Sequence, residues 1–199
     1  NYEEVEKLVK DNKTDREIAA LYNVKPISVY FFRKRNNITR DNLLINKAIK
    51  LTDRQRSIII GSLLGDASLR KTNINPSFIC EHGIKQLKYC KWKAKELESL
   101  GAKLSTSKRK TVDRRTGIYY ESAICRLPAN PELLNIYNNL YIDGRKTITK
   151  EYLESFDELS LAVMFMDDGS FNGRSISIAT NCFTEEELLI LIEFFKKKF

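Results

Sequence analysis

Two stretches of the chain, IIGSLLGDA at residues 59–67 and LAVMFMDDG at residues 161–169, share one pattern. Each is an apolar run that stops at an acidic residue beside a small one, and each is too short to cross a membrane. The two acids, Asp66 and Asp168, are separated in the chain by about the length of one small domain. A repeated buried helix that ends in a carboxylate predicts two pseudo-symmetric halves that bring the two acids together.

Paired carboxylates predict a divalent-metal site suited to phosphate chemistry. Without a cation the two acids would repel each other and one pKa would rise, whereas bound Mg²⁺ removes that conflict. Oxygen ligands suit Mg²⁺ rather than zinc, and two such ions could flank a scissile phosphate. A single aspartate at a helix end is usually only a solvated or capping residue, so the prediction depends on the pair.

The composition favours an anionic partner. The chain has 199 residues, a formal net charge of +8 and a pI of about 9.2. This balance is typical of nucleic-acid binding, although a basic protein without such a partner would have the same composition. The four cysteines form no C-x-x-C pair and His82 is the single histidine, which argues against a zinc finger and a disulfide framework.

The cellular setting follows from the same features. Reduced, mostly buried thiols indicate an intracellular protein. The expected setting is the cytoplasm of a bacterium or a phage-infected cell, or an organelle matrix. No signal peptide and no apolar run of membrane length are present, so no membrane partner is expected. Because the chain begins at Asn1 and ends within a helical pattern at Phe199, we interpret it as a fragment.

Residues 1–40 have the pattern of a small helix-turn-helix unit. Thr14 and Glu17 predict a capping box for the second helix, and Pro26 suits the first turn of the third. The predicted core residues are Ala19, Val24, Val29 and Phe32. The exposed face of the third helix would present Lys25, Ile27, Ser28, Tyr30, Arg33 and Lys34 to a DNA groove. A generic three-helix bundle is the alternative, and residues 41–51 are predicted to be a linker.

After the linker, the patterns predict the order helix, two strands, helix, two strands, helix, followed by a restart. Gly61 and Gly65 lie four residues apart on one helix face and predict close approach of another helix. The first repeat would cover residues 52–146. The second, residues 147–199, is expected to have one strand of its first pair merged or trimmed, and to lack its second pair and last helix. The predicted fold class is α+β.

Basic residues are dense in the predicted second strand pair, 103–112 and 118–127. Such a ribbon can enter a major groove and bind base edges, while arginines at its tip contact phosphates. The candidate DNA-binding residues of this hairpin are Lys103, Ser105, Ser107, Arg109, Lys110, Arg114 and Arg115. The first hairpin adds Arg70, Lys71 and Asn73. A solvated charged face is the alternative.

Together these residues resemble the LAGLIDADG homing endonucleases of the single-chain, two-motif, intron-encoded type. The similarity includes Lys146-Thr147-Ile148 and residues 160–170 and 183–187, and it spans about 51–199, leaving the helix-turn-helix outside. The resemblance implies an αββαββα fold repeated twice, with saddle-shaped antiparallel sheets over duplex DNA. It also implies a monomer that uses Mg²⁺ or Mn²⁺ to hydrolyse both strands of a long asymmetric target.

The resemblance implies a role for individual residues as well. Asp66 and Asp168 would be the metal-binding acids, and the peptide carbonyls of Gly65 and Asp167 would complete the coordination. Lys146 would stabilise charge or order water. The sequence departs from the motif at Ala67, where glycine is usual, and at Val163, where a small residue is usual. The matching lysine of the second half is expected beyond Phe199.

Three alternatives share these motifs. A LAGLIDADG-type transcription regulator also carries a helix-turn-helix, but such proteins tend to lose the acids that are present here. An RNA maturase would bind its own intron RNA. A copy resident in an intein would be framed by a splice-junction arrangement of Cys, Ser or Asn, which this chain does not show. The sequence therefore favours a site-specific DNA endonuclease.

Overall fold

The computed structural model describes residues 2–11, 13–38, 49–72, 74–109, 111–113 and 115–198. Contacts divide the chain into two units, 1–47 and 48–199. The boundary between them falls inside the predicted linker 41–51, most of which lies outside the described residues. Within those residues, no helix has the length and apolar character needed to span a bilayer.

The first unit contains the helices α1 (Tyr2–Lys10), α2 (Asp15–Leu21) and α3 (Pro26–Arg35). The predicted capping box is present at the start of α2. Thr14 Oγ1 accepts a hydrogen bond from the Glu17 amide at 3.2 Å, and the Thr14 amide donates to Glu17 Oε2 at 2.6 Å. The core of the unit consists of Val5, Val9, Ile18, Ala19, Val29 and Ile38.

Two predicted core residues of this unit are exposed instead. Val24 is 47% exposed and Phe32 is 37% exposed, whereas Ala19 and Val29 are buried as predicted. Three short helices bury little area, and Val24 and Phe32 line an open cavity of about 220 Å³ rather than a closed core. The prediction failed because helical spacing identifies an apolar face without showing whether another element covers it.

The second unit opens with the predicted αββαββα order. Its elements are α4 (Asp53–Leu64), β1 (Ala67–Arg70), β2 (Ser77–Gly83), α5 (Leu87–Glu96), β3 (Lys103–Lys108), β4 (Glu121–Leu127) and α6 (Leu133–Leu140). The four strands form one antiparallel sheet in the order β1-β2-β4-β3. The strands β3 and β4 are shorter than predicted, and beyond Lys108 the hairpin continues through isolated bonds such as Arg109 N to Tyr120 O at 2.9 Å.

The chain then forms a small hairpin and restarts. The remaining elements are β5 (Tyr141–Ile142), β6 (Arg145–Lys146), α7 (Lys150–Leu153), α8 (Glu158–Asp168), β7 (Gly169–Phe171), β8 (Ile176–Ile178) and α9 (Glu185–Lys198). The expectation that one strand of this pair is merged or trimmed is wrong, because β7 and β8 pair as an antiparallel hairpin. At three residues, β7 is too short to show a clear alternation in the sequence.

The contact between α4 and α8 organises the second unit. Both helices contribute to the main hydrophobic core, and α4 is buried from Ser57 to Leu64. A Cβ added to Gly61 would overlap the carbonyl oxygen of Ser160 in α8. The close helix approach predicted from the two glycines is therefore confirmed. Helices and antiparallel strands in one unit also confirm the α+β class.

Candidate active site

The site lies where α4 and α8 end side by side. Gly65 follows the last turn of α4, and a Cβ on it would overlap the Cβ of Asp167. The backbone amide of Asp66 donates a long hydrogen bond to Asp167 Oδ2 at 3.4 Å. The Asp66 side chain is 36% exposed and Asp168 is half-buried. We call the contact between α4 and α8 the seam. Its close packing brings the predicted acids to adjoining helix ends.

The electrostatics of these acids show that they interact. Burial raises the pKa of Asp168, and the negative charges of Asp66 and Asp167 raise it further, while Lys146 and His82 act in the opposite direction. The carboxylates thus repel each other and favour a cation nearby. Two carboxylates at a polar helix end are oxygen donors of the kind that a hard divalent cation binds, so Asp66 and Asp168 fit such an ion.

Lys146 lies beside the first of these acids. Its Nζ donates a hydrogen bond of 2.6 Å to the carbonyl oxygen of Ala67, the residue that follows Asp66. Burial lowers the pKa of Lys146, and the charges of Cys182, Asp168 and Asp66 oppose that effect. The ammonium group is therefore partly desolvated and close enough to both acids to feel their charge.

A neighbouring ion pair holds the strand that carries Lys146. Both guanidinium amino groups of Arg145 donate to the Glu187 carboxylate at 3.1 Å. Glu187, in the first turn of α9, also accepts from the Ile148 amide at 3.0 Å and from the Thr184 amide at 2.6 Å. This buried glutamate therefore contacts the chain on both sides of Lys146, through the Arg145 side chain and the Ile148 amide.

Sequence reasoning missed three side chains beneath the acids: Cys80, His82 and Lys93. His82 Nδ1 lies 3.0 Å from Asp66 Oδ2, although without the alignment of a hydrogen bond. Burial lowers the pKa of His82, but Asp66 and Cys80 outweigh burial, and the net shift is upward. Lys93 Nζ donates to both oxygens of Asp167, at 2.7 and 2.9 Å.

The hydrophobic patterns of β2 and α5 contain a signal for His82 and Lys93. His82 occupies a core-facing position of β2, in alternation with Phe78 and Cys80, which are both buried. Lys93 lies in the apolar stripe of α5, between Cys90 and Leu97. A charged residue within an apolar stripe requires a buried partner, because an isolated buried charge is strongly disfavoured.

The predicted DNA-binding residues of the sheet share one face. The strand register puts Arg70, Lys103, Ser105 and Ser107 on the face opposite the buried side chains of Cys80, Ala123 and Cys125. Arg126 lies on the same face, and its Nη1 donates to Ser105 Oγ at 2.9 Å. Its position in β4, beyond the basic hairpin tip, was not singled out from the sequence.

The other predicted contacts of the sheet are at its edges. Lys71, Arg109 and Arg115 are exposed. The Lys71 ammonium lies 5.4 Å from the centroid of the Tyr137 ring, and the Arg109 guanidinium lies 5.8 Å from that of Tyr120. Asn73, Lys110 and Arg114 lie outside the described residues. Contact of any of these residues with DNA stays a prediction.

In the first unit, Lys25, Ser28 and Lys34 are exposed on or next to α3 as predicted. The prediction that Arg33 shares this exposed face is wrong. Its side chain is only 14% exposed, and its Nε and Nη2 donate to Asp15 at 2.8 and 2.9 Å. Its Nη1 donates to the Ile38 carbonyl at 3.2 Å, so this guanidinium stabilises the unit itself. The partner lies in another helix, which sequence spacing does not reveal.

Comparison with known proteins agrees with this architecture. A solved structure described as the homing endonuclease I-WcaI bound to its DNA recognition sequence superposes with a TM-score of 0.68 and 20% sequence identity. The match covers 81% of this chain and 74% of that one. At this identity the match establishes the fold alone.

Parts of this chain are similar in sequence to proteins that carry different names. Protein RecA of Mycolicibacterium flavescens is 32% identical over 142 residues, which are 69% of this chain and 31% of that protein. The intron-encoded endonuclease ai4 of Dictyostelium discoideum is 40% identical over 65 residues, 32% of this chain and 41% of that protein. The cytochrome b mRNA maturase bI2 of Debaryomyces hansenii is 33% identical over 64 residues, 32% of this chain and 24% of that protein.

These relatives differ from the chain in length. The chain spans 31% of the first of them, so the name of that whole protein does not describe this chain. The profile of the LAGLIDADG DNA endonuclease family, in contrast, matches residues 56–199, which include both helix-end motifs and the elements between them. This chain belongs to the LAGLIDADG DNA endonuclease family.

Proposed function

We propose that this chain is a homing endonuclease that cuts both strands of a specific DNA site with divalent metal held by Asp66 and Asp168. The observation that carries the proposal is the meeting of two helix ends whose carboxylates repel each other. Membership of the family supports nuclease activity. Because both acids are in one chain, we infer that a monomer is the active form.

The residues of the site divide the chemistry among them. When bound, Mg²⁺ or Mn²⁺ would activate water and stabilise the leaving oxygen. Asp66 and Asp168 supply the negative charge that holds the ion, with the peptide carbonyls of Gly65 and Asp167 as further oxygen ligands. Lys146 supplies a positive charge next to both acids, where it can stabilise charge on a phosphate.

We propose duplex DNA as the partner, with a long asymmetric target. The solved structure with the same fold is described as bound to its DNA recognition sequence. On the present chain, the sheet face of Lys103, Ser105, Ser107 and Arg126 offers donors and acceptors of different kinds, which suits contact with base edges. Lys25, Ser28 and Lys34 of the first unit would add a second contact.

A second candidate function rests on the similarity to a protein named as an mRNA maturase. In that case the chain would bind its own intron RNA without cutting DNA. The retained acid pair favours the nuclease, because RNA binding alone does not require two repelling carboxylates at a helix seam.

The test uses the full-length protein and a plasmid that carries the uninterrupted homologue of its host gene. The parent should linearise this plasmid with Mg²⁺ or Mn²⁺ and not with EDTA. Asp66→Asn and Asp168→Asn should each slow cutting at least about 100-fold, since several kcal/mol of transition-state stabilisation are lost. Binding of the same DNA in Ca²⁺ should change far less.

The matched control is Asp143→Asn, the same chemical change in an exposed turn where asparagine tolerates the observed φ of 50°. This variant should cut at the parental rate. If either Asp66→Asn or Asp168→Asn cuts at that rate too, the metal assignment is wrong. Binding of intron RNA without cleavage by the parent would favour the maturase.

A further inference from the structure

A group of buried and half-buried side chains lies next to the paired acids. We call it the lysine cluster, and it consists of Lys93, Asp167, Cys80, His82 and Tyr89. The side chains of Lys93 and Asp167 are both fully buried. The Lys93 ammonium also lies 4.6 Å from the centroid of the Tyr89 ring, a favourable position for a cation.

Three members of the cluster have the donor types of a transition-metal site. The ligand atoms of Cys80, His82 and Asp167 all lie within 4.8 Å of one another. Thiolate, imidazole and carboxylate together suit a soft or borderline ion rather than Mg²⁺. On donor chemistry alone, this group would be a second metal centre next to the first.

The Lys93 ammonium already occupies the centre of that donor set. Its Nζ lies 3.4 Å from Cys80 Sγ, 3.3 Å from His82 Nε2 and 2.7 Å from Asp167 Oδ1. An ion bound by the same three atoms would need that position. The cluster therefore already contains a cation, which is the ammonium group of the Lys93 side chain on α5.

We propose that Lys93 is a built-in cation that neutralises Asp167 and keeps this carboxylate out of the metal ligand set, so that Asp66 and Asp168 remain the acids that bind metal. The second part of this statement rests on the proposed function. Three aspartates meet at the two helix ends, and the ammonium selects which of them stays buried.

The cluster also positions the end of α4. Asp167 Oδ2, held by Lys93, accepts the hydrogen bond from the Asp66 amide. A chain of contacts thus runs from α5 through Asp167 to the backbone of Asp66. Lys93 is therefore a positioning residue for the acid pair, since it acts through Asp167 and not on the substrate.

The first test measures coupling between Lys93 and Asp167 without DNA or metal, by urea unfolding of the full-length protein. Lys93→Met removes the ammonium that pairs with the buried Asp167 carboxylate and should raise the unfolding equilibrium constant at least about 100-fold. The double variant Lys93→Met/Asp167→Asn removes both charges and should recover at least about tenfold of that loss. Lys91→Met, at an exposed position of the same helix, is the matched control and should behave as the parent.

If Lys93→Met is too unstable to isolate, the double variant decides the matter. A folded double variant supports the internal cation. A double variant that is as unstable as Lys93→Met, or that does not fold, would overturn it, because the lysine would then matter for its packing alone.

The second test uses Co²⁺ as a probe of the donor set. The parent should show no cobalt–thiolate absorption band, since the ammonium holds the position that the ion would need. Lys93→Ala, which opens that position, should show the band, and the additional change Cys80→Ser should remove it. A band in the parent that depends on Cys80 would contradict the proposal, because a metal would then displace the lysine.

Neither readout involves cleavage, so the two proposals fail separately. A protein that shows the coupling but does not cut DNA would lose the proposed function and keep the internal ion pair. A protein that cuts DNA but shows no coupling would keep the proposed function and lose the role of Lys93.

Discussion

The ends of α4 and α8 occupy equivalent positions in the two repeats, but they differ in the number of acidic side chains and in how deeply these are buried. The first carries one acid, Asp66, which is partly exposed and lies above His82. The second carries two, of which Asp167 is fully buried against Lys93 and Asp168 is half-buried. The pseudo-symmetric backbone therefore does not produce a symmetric site.

The difference begins with the residue before each acid. Gly65 has no side chain, and the space that its Cβ would need is occupied by the Cβ of Asp167. A small residue on one helix thus makes room for a larger one on the other. Two helices that cross this closely cannot both carry a side chain at that level, and here α8 carries it.

The starts of the two helices differ in a related way. Thr52, which is neutral, caps α4 by accepting from the Gln55 amide at 3.2 Å. Asp157, which is charged, caps α8 by accepting from the Ser160 amide at 2.8 Å, and it also accepts from Ser57 Oγ at 2.6 Å. The cap of α8 thus uses an ionised side chain where the cap of α4 uses a neutral one.

The largest loss of stability in this comparison is expected from adding a methyl group between α4 and α8. Gly61→Ala would put a Cβ into the Ser160 carbonyl, which belongs to the backbone and cannot rotate away. We expect a loss of at least about 2 kcal/mol in the free energy of unfolding, measured by urea titration. Gly83→Ala, where no atom lies within 4 Å of the added Cβ, should be nearly neutral. Equal stability of the two variants would show that the helices can separate at no cost.

An intermediate loss of stability is expected from removing either helix cap, Thr52 or Asp157, and its dependence on pH should differ between the two. Thr52→Ala and Asp157→Ala should each destabilise the protein by about 1–2 kcal/mol at pH 7. Burial raises the pKa of Asp157, but hydrogen bonds from Ser57 and Ser160 outweigh burial, and the net shift is downward. A carboxyl with a lowered pKa in the folded state stabilises the protein above its ordinary pKa, and this contribution is lost as the pH falls.

The penalty of Asp157→Ala should therefore shrink between about pH 4 and pH 2, whereas that of Thr52→Ala should not. Urea unfolding of both variants and the parent at several pH values measures this difference. An Asp157→Ala penalty that stays constant down to pH 2 would mean that the hydrogen bonds, and not the charge, provide the stabilisation.

The smallest effect is expected at an ion pair on the surface. Arg54 donates to both oxygens of Glu96, at 2.8 and 3.0 Å, but its side chain is 56% exposed. Exposed pairs contribute little because water and salt screen them. Arg54→Met should leave the urea midpoint unchanged within error, in contrast to the same substitution at Lys93. A large shift would show that pairing geometry outweighs burial in this fold.

Much of the fold follows from interactions between residues close in the chain. The capping box of Thr14 with Glu17 was predicted because both partners lie within one turn of a helix. The αββαββα order follows from local periodicity in the same way. Strand ends were less well predicted, because a strand ends where its partner ends, and that partner lies elsewhere in the sequence.

Charge partners show the limit most clearly. Arg33 with Asp15, Lys93 with Asp167, and Arg145 with Glu187 all join residues from separate elements. The sequence showed each of these charges and could not show which would be buried. Local spacing therefore puts Arg33 on the face predicted to bind DNA, and it predicts no role in the site for Lys93 or Glu187.

The sequence by itself determined that two apolar helices end in acids, that glycines allow them to approach, and that the chain carries a net positive charge that favours an anionic partner. Only the tertiary structure decided which acid stays partly exposed, which one is neutralised by Lys93, and which cations remain on the surface. The physical reason is that helix periodicity and capping depend on a few neighbouring residues, whereas the cost of burying a charge depends on every group that surrounds it after folding.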